Sequence, residues 1–119
     1  MSKRIVSLTT DLLFSSNIEA TLARSGDEVR TVEDMPSLER ALRGREVDLV
    51  ILDLDSGPEA GAVVMLCQPM GVPVLAFGRH TEAALLRSAR EVGCAEVVPR
   101  SVFVERMADL VAAHALTGR

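Results

Sequence analysis

The sequence predicts an α/β fold, a single parallel sheet wrapped on both faces by helices. Two observations predict it. Val47, Leu49, Val50, Ile51, Leu52 and Leu54 form a near-continuous apolar run between Gly44 and the Ser56-Gly57-Pro58 turn. Such a run is short enough for a strand and apolar on both of its faces, as the central strands of parallel sheets are. Four further strand-like segments, at 4–8, 27–32, 72–77 and 95–98, alternate with stretches long enough to be helices. Helical crossovers between consecutive strands force parallel pairing and a right-handed connection.

Taken in order, residues 4–8 (RIVSL) read as the first strand. Thr9 or Thr10 is expected to cap a helix over 11–24, with Asp11 in its first turn. Phe14, Ile18 and Leu22 recur every four residues on its buried face, and Gly26 suits the left-handed position that ends it. Residues 27–32 alternate polar and apolar, as a weaker strand does. Asp34 caps a second helix that Gly44 ends. The central strand follows, then a helix over 58–68 and a strand over 72–77 entered through Pro73. Thr81 is expected to cap a helix to 92, ended by Gly93. Residues 95–98 form the last strand, and Ser101 is expected to cap a final helix to 116. Five such units in strict alternation predict one domain over 1–119, a flavodoxin-like three-layer sandwich with strand order 2-1-3-4-5.

The chain is 48% hydrophobic and 25% charged, which excludes a disordered segment. Its net charge is −4 with no basic cluster, which argues against a nucleic-acid partner. Residues 60–78 carry no charge, but Gly61, Pro69, Gly71 and Pro73 break the stretch, so no membrane span is expected. The start, MSKRIVSL, has no signal-peptide pattern, and Cys67 and Cys94 lack metal-ligand spacing. A cytoplasmic protein with free thiols is the expectation. Gly57, Gly61 and Gly71 make no phosphate-binding fingerprint, so no cofactor is expected.

Open sheets of this order place their crevice beyond the carboxyl ends of the first and third strands. Thr9, Thr10, Asp11, Asp53 and Asp55 fall there, with Gly78 and Arg100 at the ends of the fourth and fifth strands. His80 follows the fourth strand and reads as a solvated loop residue. His114 lies late in the last helix, where a cation suits the dipole.

Over essentially its whole length the chain resembles the receiver domain of bacterial two-component response regulators. The stretch VDLVILDLDSG is similar to the family's phosphoacceptor strand, VPVLAFG to its fourth strand, and EVGCAEVVPRSVF to its fifth strand and flanks. The resemblance puts Asp53 on the phosphoacceptor position. It implies two acidic Mg²⁺-holding residues at the end of the first strand, where this chain has Thr9 and Thr10, with Asp11 one residue late. The hydroxyl residue expected after the fourth strand is Gly78. The aromatic residue of the fifth strand is Val97, its Lys is Arg100, and the Pro that follows is Ser101. Lys3, the chain's one lysine, belongs at the opposite sheet edge.

Phosphoryl transfer to a carboxylate needs a divalent ion to neutralise phosphoryl charge, and threonines supply none. Arg and Lys are not interchangeable as oxygen ligands. A pseudo-receiver that has lost the phosphorylation switch is therefore expected. Asp53 is read first as a buried carboxylate paired with Arg100, with phosphorylation by an unusual route or an unrelated ligand site as alternatives.

The third and last helices carry more apolar residues than one buried stripe requires. On the last helix, Phe103, Met107, Leu110 and His114 form one stripe, assigned to the core. Val104, Ala108, Val111 and Ala115 form another, assigned to a partner. The resulting expectation is a stand-alone, non-enzymatic interaction module of bacterial signalling. It acts through a protein partner or a homodimer built on the last helix. The alternatives are a phosphorylation-competent receiver using Asp53 and a small-molecule-binding flavodoxin-like domain.

Overall fold

A computed structural model of the chain describes residues 2–116. The order is β1 (Arg4–Leu8), α1 (Leu12–Ala23), β2 (Glu28–Val32), α2 (Met35–Gly44), β3 (Leu49–Asp53), α3 (Ala60–Cys67), β4 (Val74–Gly78), α4 (Ala83–Glu91), β5 (Glu96–Pro99) and α5 (Arg100–His114). A 3-10 turn, Gln68–Met70, extends α3 and is closed by Gly71 at φ 69°. The strands form one sheet in the order β2-β1-β3-β4-β5, every pair parallel.

Alternation along β3 explains the two-sided core. Leu49 and Ile51 face Ile18 and Leu22 of α1 and Phe103, Met107 and Leu110 of α5. Val50 and Leu52 face Leu38 and Leu42 of α2, Val63 and Cys67 of α3 and Leu86 of α4. All five β3 residues are buried, as are all five of β4. The parallel, doubly covered sheet follows from that absence of a polar face.

Three helix caps differ from expectation. The N-cap of α1 is Asp11, whose carboxylate accepts the Phe14 amide at 3.0 Å. An ionised oxygen satisfies an orphan N–H at the positive end of a helix better than a threonine hydroxyl does, and Thr9 is turned inward instead. Glu82, not Thr81, precedes α4, and α5 begins at Arg100, one residue before Ser101. That last helix ends at His114, so Leu116 lies beyond it.

The predicted stripe on α5 also needs correction. Val104 is 45% exposed and Ala108 is exposed, but Val111 and Ala115 are buried at 1% and 7%, packed with Phe103, Met107 and Leu110. Arg106 departs from helical geometry (φ −117°, ψ 22°). Val111 follows Met107 by four residues and so joins the buried face with Phe103 and Leu110, and Ala115 lies past the last helical residue, at the C-cap. His114, assigned to the core, is half-buried and bonds Glu96 through Nε2 at 2.5 Å. The apolar excess of α3 is real: Met65 is 76% exposed, while Val63, Val64 and Cys67 are buried.

Candidate functional site

The crevice is built where β1 and β3 end side by side, with Leu8 opposite Leu52 in register. Asp53, the last residue of β3, is 2% exposed. Its Oδ2 accepts the Thr9 hydroxyl at 2.8 Å, and its Oδ1 accepts the Asp55 amide at 3.0 Å. Thr9 is itself buried, and its hydroxyl oxygen accepts the Asp11 amide at 3.2 Å. Thr10 is exposed, and its amide donates to Ser56 Oγ at 3.0 Å. Both turns after the strands are thus tied to one buried carboxylate.

Arg100 does not pair with Asp53. Its Nη2 donates to Asp11 Oδ2 at 3.0 Å, and its guanidinium carbon stands 4.1 Å from the Phe14 ring centroid. Arg100 opens α5 beside the start of α1, where it meets an anion and an aromatic face together. Asp53 is satisfied by neutral donors, a hydroxyl and an amide, which is how buried polar groups avoid the penalty of an unmade bond. The Phe14 amide, and then the Arg100 guanidinium, hold the Asp11 carboxyl below its ordinary value against the opposing effect of desolvation. Asp55 takes a different cation, with Arg79 Nε at 3.4 Å from its Oδ2.

Gly78 ends β4 in a filled space. A Cβ built there would lie 3.2 Å from Leu86 Cδ2 and 3.3 Å from Leu54 Cδ1. The volume that a serine or threonine side chain would need is taken by two leucines. His80 is exposed beyond it. Burial pushes the Cys67 thiol up to about 12 and that of Cys94 to about 11, so both are inert as nucleophiles.

The divalent cation implied by the resemblance does not fit these residues. Both Asp53 oxygens already accept protein hydrogen bonds, and Asp11 is committed to the α1 cap and to Arg100. Among the described residues, no three Asp, Glu, His or Cys side chains converge on a metal-holding position.

Sequence reasoning brought Thr9, Asp11, Asp53, Asp55, Gly78 and Arg100 to one edge. It missed Phe14, Leu54, Ser56 and Arg79. The spacing of Phe14 marks it as a core residue, yet it also carries the Arg100 guanidinium and packs 5.0 Å from Phe77, which stacks on Phe103 at 4.5 Å. The three-residue spacing from Asp11 to Phe14, which places both at one helix start, was the available signal.

With the strand order and site geometry in hand, the class is set by comparison with solved structures: the chain has the fold of response regulator receiver domains. It superposes on NtrX from Brucella abortus, solved with ADP, at TM-score 0.82 and 20% identity, covering 96% of this chain and 26% of that one. A response regulator from Thermotoga maritima matches at TM-score 0.78 and 14% identity, over 94% and 99% of the two chains. The NtrC4 receiver domain, solved as a beryllofluoride-activated dimer, matches at TM-score 0.81 and 16% identity over 94% and 95%. The chain therefore spans about a quarter of NtrX and nearly all of the other two. No protein-family model and no curated protein matches the sequence. Among the described residues, no helix is long and apolar enough to cross a membrane.

Proposed function

We propose that this receiver-fold domain is a protein–protein interaction module of two-component-type signalling in the bacterial cytoplasm, and that it works without phosphoryl transfer to Asp53. The observation that carries the reading is the 2.8 Å hydrogen bond from Thr9 to Asp53. The resemblance asks for a metal-holding carboxylate where Thr9 stands, and a neutral hydroxyl there caps the carboxylate instead of binding a cation beside it. Leu54 and Leu86 closing on Gly78 support the same reading. The whole chain is read as one such domain, neither enzyme nor cofactor carrier.

The test is incubation with acetyl phosphate and Mg²⁺, read by intact mass. The expected result is no phosphoryl adduct. A stoichiometric adduct that Asp53→Asn abolishes overturns the reading.

Self-association is a second reading. A receiver dimer stands among the structural neighbours, and Val104 and Ala108 keep the first half of the α5 stripe exposed. Closed dimers need such a self-complementary patch. Sedimentation equilibrium of wild type and Val104→Glu is the test. A wild-type protein monomeric to hundreds of micromolar removes it.

A further inference from the structure

We propose that the open edge of β2 is a docking strand for an extended, cationic peptide segment of a partner protein. The proposal rests on the interaction-module reading and adds the surface and the chemistry of the partner.

β2 ends the sheet, so only one of its sides is paired. The Glu28 amide donates to the Lys3 carbonyl, and the Val32 carbonyl accepts the Thr9 amide. In a parallel ladder these two bonds assign the β1-facing backbone groups to Glu28, Arg30 and Val32. The amides and carbonyls of Val29 and Thr31 therefore point away from β1, along the edge. Such a row is the template onto which an extended chain adds as a further strand.

The opposite edge differs. On β5, Val97 and Val98 are buried, and Glu96 is held by His114. On β2, Glu28 and Arg30 are exposed, with Glu28 held at the start of the strand by Arg4 and Arg45.

A groove of about 410 Å³ runs beside the β2 edge between the starts of α1 and α2. Glu19, Glu33 and Asp34 bring three carboxylates to its lining, against the guanidinium of Arg30. Glu19 is held in place by the Thr31 hydroxyl, 2.5 Å from its Oε2. Asp34 is fixed as the α2 cap by the Ser37 amide, and the Ser37 hydroxyl, then that amide, hold its carboxyl below its ordinary value. Leu12, 72% exposed, adds an apolar rim for the aliphatic residues of the incoming strand. A cavity of this size admits side chains, and its excess negative charge selects lysine or arginine.

The experiment uses the acetylated and amidated peptide Thr-Lys-Val-Lys-Val-Lys-Thr with the whole chain. The readouts are amide chemical shifts and hydrogen exchange. At saturation, exchange at Val29 and Thr31 is expected to slow about tenfold or more. Glu19→Gln with Glu33→Gln is expected to weaken binding about tenfold. Thr31→Pro is expected to abolish it, because the outward N–H is the one that proline removes from an edge strand without breaking the ladder. A peptide N-methylated on the amides that face β2 does the same if that variant fails to fold.

Absence of protection, equal binding of the Thr-Glu-Val-Glu-Val-Glu-Thr peptide, or binding that survives N-methylation overturns the proposal. So does protection that rises with protein concentration alone, because a second copy then occupies the edge. None of these outcomes alters the acetyl phosphate result, so failure here and failure of the module reading are separable.

Discussion

Arg100 reaches across from the first turn of α5 to lie over Phe14 at 4.1 Å while donating to Asp11 at 3.0 Å. One side chain thus joins the starts of α1 and α5 at the mouth of the crevice. Its position at the end of β5 suggests a partner for Asp53. The cation instead goes to the carboxylate that the solvent reaches, where less desolvation opposes the pair.

Arg100→Ala is expected to lower stability by about 0.5–1 kcal/mol, the scale of a partly exposed cation–π contact. Arg100→Lys is expected to recover part of it, because an ammonium keeps the charge but not the planar stacking. Urea denaturation midpoints measure both. An Arg100→Ala protein that unfolds with wild type shows that the contact contributes nothing.

Thr9→Val is expected to cost about 1–3 kcal/mol, because it keeps the shape of the side chain and leaves a buried carboxylate oxygen of Asp53 without its donor. Thr9→Ser, which restores the hydroxyl, is expected to fall near wild type. The contrast between the two in chemical denaturation separates the hydrogen bond from packing.

Ser7, on β1, is fully buried, and its hydroxyl has no hydrogen-bond partner among the described residues. Ser7→Ala is expected to raise stability by about 0.5–1 kcal/mol by removing an unsatisfied polar group. A thermal or urea midpoint at or below that of wild type contradicts this.

Asp11 carries a pH dependence. Its folded carboxyl sits below its ordinary value of 3.8, chiefly through the Phe14 amide and then through Arg100. A lowered folded value means that the unfolded chain takes up the proton first as pH falls. The stabilisation is therefore complete above about pH 4 and is lost as pH drops through the folded value. Wild type is expected to exceed Asp11→Asn in urea midpoint at pH 7, and the gap is expected to close in strong acid. A gap that persists unchanged contradicts the assignment.

The apolar run around β3, the glycines after α1 and α2 and the strict strand–helix alternation determined the fold class, the strand order and the edge at which the site residues gather. Those properties depend on local periodicity and on the chirality of crossovers, both of which a sequence carries. Placing Asp53 at that edge needed no more than the end of a strand. Three matters were decided by tertiary structure alone. Arg100 chose Asp11 and Phe14 over Asp53, because residues 89 positions apart in the chain were brought together at the starts of two helices. Val111 and Ala115 went inward while Val104 stayed out, because Val111 packs with Phe103, Met107 and Leu110 and Ala115 sits where the chain leaves the helix. The place left by the missing hydroxyl at Gly78 was filled by Leu54 and Leu86, which approach from the turn after β3 and from α4. In each case, long-range packing selected among contacts that local sequence left equally available.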